Sequence, residues 1–157
     1  MTQITARDCM VTEVYTLTPS TDVIDAVRFL LEHDISGAPV VDRHDRYLGV
    51  FSEKCSMHVM LDAAYEQLPV RDVRAFMDTE AQTISPEMQL LSIAQVFLLT
   101  PYRRLPVVED GRLIGLVTRG DVMSCWMDLI DQFPSESTET TLLYFSSLFA
   151  REEAPLA

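Results

Sequence analysis

Few of the side chains able to do covalent chemistry in this chain are spaced to do it. Cys55 and His58 stand three residues apart on one predicted helix, but no third group orients the imidazole as a thiol nucleophile requires. Cys9, Cys55 and Cys125 are odd in number and far apart, which fits small buried thiols better than a disulfide framework or a zinc site. A thiol switch at Cys55 would need a reactive thiol there. His33, His44 and His58 lie among polar neighbours without metal-ligand spacing and read as solvated surface, so no metal is expected. A Walker-type glycine loop, a Gly-x-Ser-x-Gly elbow and a paired His-Glu metal motif are all missing from the sequence. The expectation is therefore not an enzyme. What remains are polar side chains without such spacing, among them Ser52, Arg103-Arg104, Thr118 and Asp121. Thr118 and Asp121 are also residue types that cap helices, and the two arginines also suit pairing with surface carboxylates.

Charge narrows the partners. With 12 basic and 24 acidic residues the formal charge is −12, so there is no basic stripe for nucleic acid or for an anionic lipid surface. No apolar run approaches the roughly 18 residues that cross a bilayer, and the first residues lack the basic start and apolar stretch of a secretory signal. A cytoplasmic location, with no membrane partner, is expected.

The elements that must position these side chains come twice. Thr16-Leu17-Thr18-Pro19 returns as Thr83-Ile84-Ser85-Pro86, and Ala38-Pro39-Val40-Val41-Asp42 as Leu105-Pro106-Val107-Val108-Glu109. Tyr47-Leu48-Gly49-Val50-Phe51-Ser52 returns as Leu113-Ile114-Gly115-Leu116-Val117-Thr118. The offset is 67 residues through the Pro-Val-Val segment and 66 after it, a single-residue change in turn length. In each unit the order reads strand, helix, strand, strand, helix. Ser20-Thr21-Asp22 offers caps for a helix whose stripe is Val23, Val27, Leu30 and Leu31, ended by His33-Asp34. Strands are expected from Ala38 to Asp42 and Tyr47 to Ser52, and Asp110-Gly111 marks a two-residue hairpin in the second copy. Further helices follow near Glu53 to Tyr65 and Arg119 to Ile130. A unit of about 55 residues buries too little apolar surface alone, so the two should pack sheet to sheet around a pseudo-twofold axis, with a cleft on each side of the seam. The fold class is α/β (α+β), with a first repeat over 1–66 and a second over 67–131.

This order of Pro-Val-Val-Asp/Glu, hairpin, Gly-apolar-apolar-Ser/Thr and helix resembles a cystathionine-β-synthase (CBS) domain, and two in tandem resemble a Bateman module. The resemblance covers roughly Thr5 to Asp128, most closely in Arg104 to Glu109 and Gly115 to Asp121. It implies an adenosyl ligand (AMP, ADP, ATP or S-adenosylmethionine) in the seam, with no cofactor required. One cleft would use Thr118 and Asp121, with Arg119 beside the phosphate and Ile35, Ser36, Gly37, Pro39, Met10 and Tyr15 walling the base. A carboxylate there suits the ribose diol, and a hydroxyl with helix N-terminal amides suits a phosphate. The other cleft would use Ser52, Lys54, Arg104 and Pro106, but Cys55 stands where the carboxylate belongs, and a thiol accepts hydrogen bonds poorly. At most one conventional nucleotide site per chain is expected, on a stand-alone regulatory module that forms a homodimer and signals to a separate protein. The alternative is a ligand-free dimerisation or protein-interaction module.

The segment 132–157 is an addition. Phe133-Pro134-Ser135-Glu136-Ser137 breaks the preceding helix, and Thr138 to Glu153 reads as another with Leu142, Phe145, Leu148 and Phe149 on one side. That stripe should pack within the chain or across a dimer, and the last seven residues should fray. The eight methionines read as fillers of core gaps.

Overall fold

The computed structural model describes residues 3–65, 70–133 and 137–150. The chain runs α1 (Ala6–Cys9), α2 (Val23–Glu32), β1 (Gly37–Val41), β2 (Tyr47–Ser52), α3 (Glu53–Tyr65), a 3-10 turn (Val73–Ala75), α4 (Leu90–Leu99), β3 (Arg104–Glu109), β4 (Arg112–Thr118), α5 (Arg119–Asp131) and α6 (Thr138–Ala150). It is a mixed α and β fold with two antiparallel hairpin sheets, β1–β2 and β3–β4. Both hairpins carry a register irregularity at the same place, between Val40 and Val41 and between Val107 and Val108. Asp110 (φ 52°) and Gly111 (φ 78°) form the left-handed two-residue turn that the sequence predicts. The segment 134–136, the tail 151–157 and the boundary at 66 and 67 lie outside the described residues.

The opening strand of each unit shrinks to one residue. Leu17 bridges Val40 in parallel, its amide donating to the Pro39 carbonyl and its carbonyl accepting from Val41, both at 2.9 Å. Ile84 repeats this on Val107. In a parallel ladder the next donor would come two residues on, and those residues are Pro19 and Pro86, which have no N–H.

The lead-in to each unit crosses to the other unit's sheet. Val11 exchanges two backbone bonds with Leu116, at 2.9 and 3.0 Å, and Asp78 exchanges two with Val50, at 2.8 and 3.0 Å. Accordingly Ala6 of α1 is buried with Ile84, Ile93, Leu105 and Val117, while Val73 is buried with Leu17, Val23, Val40 and Phe51. The hairpin tips also pair, through Tyr47 N–H to the Gly111 carbonyl and Leu113 N–H to the Asp45 carbonyl.

Asp22 caps α2, its carboxylate accepting the Ile24 amide at 2.8 Å. The buried stripe of α2 is Val23, Ala26 and Leu30; Leu31 is 76% exposed, because the small Ala26 brings a different face down on the sheet. Helix α6 packs on α5, with Trp126 and Phe145 rings 5.8 Å apart and Phe133 and Tyr144 stacked at 6.0 Å. Phe145 and Leu148 are half-buried there and Leu142 stays exposed; the side chain of Phe149 lies outside what is described. Met57, Met60, Met123 and Met127 are exposed rather than filling the core. Among the described residues no helix is long and apolar enough to cross a membrane, and no His, Cys, Asp and Glu group is placed to hold a metal ion.

Candidate functional site

Two clefts open at the seam, and their linings correspond through the repeat. The end of β2 and start of α3 supply Ser52, Glu53 and Lys54 to the first, which is completed by Asp78 and Ala81 of the crossing lead-in, Tyr102 to Arg104, Pro106 and Ser36. The second takes Leu116, Thr118 and Asp121 from β4 and α5, Val11, Glu13, Val14 and Tyr15 from the other lead-in, and Ile35, Gly37 and Arg104. The first encloses about 450 Å³ and the second about 210 Å³. Small-molecule sites run from roughly 300 to 1,000 Å³, so only the first is already open to a whole nucleotide.

In the second cleft the polar pair is folded onto itself. One oxygen of Asp121, Oδ2, accepts the Thr118 amide at 2.8 Å and the Thr118 hydroxyl at 2.9 Å. The Asp121 amide in turn donates to Thr118 Oγ1 at 3.2 Å, closing a capping box on α5. Among the described residues the Oδ1 atom of Asp121 carries no hydrogen bond. In the first cleft the equivalent pair departs from this. Ser52 Oγ accepts the Cys55 amide and donates to Cys55 Sγ, both at 3.3 Å. The thiol also donates to the Val50 carbonyl at 3.7 Å, leaves the Ser52 amide without a side-chain partner among the described residues and is buried in the core. Cys55 therefore lies beneath the first cleft rather than in its lining, and its burial leaves little room for thiol exchange.

Arg104 joins the two clefts. Its Nη2 donates to the Ser36 hydroxyl, and its Nη1 lies over Gly37. Burial lowers the Arg104 pKa, with Glu53 acting against that shift by favouring the charge and Arg103 reinforcing it. In the second cleft Tyr15 is backed by His33, stacked at 4.1 Å, which itself meets Phe29 edge-on at 4.4 Å. His33 is thus part of an aromatic wall and not a solvated surface residue.

Of the nine residues expected at the Thr118 cleft, the structure brings together Thr118, Asp121, Ile35, Gly37 and Tyr15. Ser36 faces the first cleft instead. Pro39 is fully buried in β1, and Met10 packs beneath Gly115 against the second core cluster. The Arg119 guanidinium is drawn away to the Phe97 carbonyl at 3.4 Å and lies 6.0 Å from that ring. At the other cleft Ser52, Lys54, Arg104 and Pro106 come together as expected. Sequence reasoning missed Glu13, Glu53, Asp78 and Tyr102 in the linings. The crossing of the lead-ins, which carries Glu13 and Asp78 to the seam, leaves no local pattern in the sequence.

Two repeats of this topology, exchanging lead-ins around a seam with paired clefts, define a pair of small α/β domains. The CBS-domain sequence profile matches residues 6–54 and 60–128, and the chain belongs to that family. It is 30% identical to CBSX2 solved in complex with AMP, with a TM-score of 0.71 over 80% of this chain and 97% of that one. A second structure, of the CBS-pair protein CBSX2 from Arabidopsis thaliana, aligns over 84% of this chain and 100% of that one at 28% identity, again with a TM-score of 0.71. The CBS domain-containing protein YhcV of Bacillus subtilis is 26% identical over 140 residues, covering 89% of this chain and 94% of YhcV. The A-adding tRNA nucleotidyltransferase of Aquifex aeolicus is 28% identical over 121 residues, and this chain spans only 14% of its length.

Proposed function

We propose that this chain is a cytoplasmic regulatory CBS pair that binds an adenine nucleotide or related adenosyl ligand at the seam and signals to a separate protein. The observation that carries the reading is the first cleft: a cavity of about 450 Å³ between the repeats, lined by Lys54, Arg103 and Arg104 and the Ser52 hydroxyl. Cations suit the phosphate or carboxylate of the ligand, and the flanking Pro106 and Tyr102 offer flat apolar surface to a base. The complex of CBSX2 with AMP supports the class of ligand. Asp121 completes the second cleft for a ribose once its capping bonds to Thr118 are exchanged. A ligand that prefers one arrangement of the repeats would shift the populations that a partner protein recognises. Calorimetry with AMP, ADP, ATP and S-adenosylmethionine tests this; silence with all four sinks the sensing role.

The homodimer follows from a second symmetry in the side chains. Met57, Met60 and Leu61 on α3 are exposed, and so is their repeat equivalent Met123 on α5, while Trp126 and Met127 beside it are partly covered by α6. Apolar faces of this kind on a charged protein call for a cover, and a second copy presents the matching pair of helices. A ligand-free interaction module would keep this face and lose the clefts. The closed Thr118–Asp121 box favours that second reading, and the same calorimetry separates the two.

A further inference from the structure

We infer that Arg104 is shared between the two clefts, so that an anion held in one weakens anion binding in the other. This rests on the seam-cleft reading above and adds a coupling that neither cleft has alone. Arg104 lines both cavities. One guanidinium nitrogen contacts Ser36, on the wall of the first cleft, and the other overlies Gly37, on the wall of the second. The repeat makes the sharing unavoidable. The position equivalent to Arg104 in the first unit is Gly37, so the second cleft has no matching arginine. Its other charged lining groups, Glu13 and Asp121, are acidic, and Arg119 is engaged at Phe97. The first cleft has Lys54 and Arg103 in addition. The second cleft therefore depends on a borrowed charge.

A guanidinium offers its donor fork to one phosphate or carboxylate at a time. Once an anion in the first cleft engages Arg104, Glu13 and Asp121 face a second anion without compensation. Linkage requires the reverse effect to have the same size. An uncharged ligand needs no guanidinium and escapes the coupling.

The test uses the full chain and pyrophosphate, followed by the amide NMR signals of Ser52 and Lys54 in one cleft and Thr118 and Asp121 in the other. The first equivalent of pyrophosphate should move both sets together with one midpoint, because Arg104 contacts both walls, and a second equivalent should bind about 5- to 150-fold more weakly. Arg104→Gln should raise that midpoint about tenfold or more for both sets, while Arg104→Lys, which keeps the charge and loses the fork, should fall between. First-phase shifts confined to one cleft, two equivalents bound with equal affinity, or no response overturns the inference, and the unmodified chain alone decides this. Calorimetry with AMP against adenosine separates the inference from the reading beneath it. The second AMP should bind about 5- to 150-fold more weakly than the first, the usual span of site-to-site coupling, whereas adenosine should show no such gap. Two equal AMP sites sink the shared cation and leave the adenosyl reading intact. No heat from AMP or adenosine, beside a joint response to pyrophosphate, does the opposite.

Discussion

Gly37 and Arg104 hold the same place in the two repeats, and across the seam they touch: a Cβ built on Gly37 would lie 2.6 Å from Arg104 Nη1. Symmetry is broken at the point where the two units meet. One copy withdraws its side chain so that the other can enter.

Gly37→Ala should therefore destabilise the fold by about 1–3 kcal/mol, the usual cost of overpacking, since the new methyl also meets Phe51 O and Ser52 Cα at 3.2 Å. Urea denaturation measures it. If the guanidinium is the main obstacle, the double variant Gly37→Ala/Arg104→Ala loses less than the sum of the singles. Additive losses would place the conflict in the backbone instead.

Gly49 and Gly115 are equivalent in sequence but not in surroundings. A Cβ at Gly49 would meet the Asp78 carbonyl oxygen at 2.6 Å, backbone that is tied to Val50, whereas at Gly115 it would meet the flexible Met10 side chain at 2.5 Å. Gly49→Ala should lower the thermal midpoint clearly more than Gly115→Ala. Equal losses would contradict the crossing of the lead-in at Asp78.

Tyr47 gives the chain an alkaline limit. Its hydroxyl is buried with no partner among the described residues, and burial, helped by Asp78 and Tyr102, pushes its pKa up to about 12. Below the ordinary tyrosine value of about 10 both folded and unfolded chains keep the proton. Above it the unfolded chain ionises first, so stability falls as pH rises toward about 12 and the slope from this group then levels off. Tyr47→Phe should flatten that decline and cost nothing at neutral pH, because it removes an unpaired buried hydroxyl. Chemical denaturation at neutral pH and at several values above 10 reads both effects.

Charge on the exposed helical face should break the dimer. Met57→Glu and Met123→Glu each place a carboxylate in the matching patches of α3 and α5, where the methionines are 52% and 63% exposed. Light scattering at equal concentration should show the unmodified chain as a dimer and both variants shifted to monomer; a mass unchanged by either substitution would mean that the face is free in solution. The fold itself should be unaffected, since neither side chain is in the core.

Much of this was legible in the linear order of residues. Asp22 as a cap, Asp110-Gly111 as a turn and the ends of α3 and α5 follow from local rules that act within a few residues. The buried stripe of α2 was less legible, because choosing Ala26 over Leu31 depends on how closely the helix approaches the sheet. The opening strands were misjudged through a long-range ladder position, where Pro19 and Pro86 withhold a donor. The site was legible in composition and not in arrangement. Thr118 and Asp121 were found, yet their bond to each other, the burial of Cys55 and the turn of Arg119 toward Phe97 are settled by competing contacts.

The sequence by itself determined the duplication, and with it the strands, hairpins, helices and family, because those rest on short-range periodicity and turn chemistry repeated about every 67 residues. Only the tertiary structure decided that the lead-ins cross over, that the cleft above Cys55 is the roomier one, and that Arg104 reaches Gly37. These are contacts between residues far apart in the chain. They depend on how two nearly equal units pack against each other, and small differences in side-chain volume at the seam decide that packing.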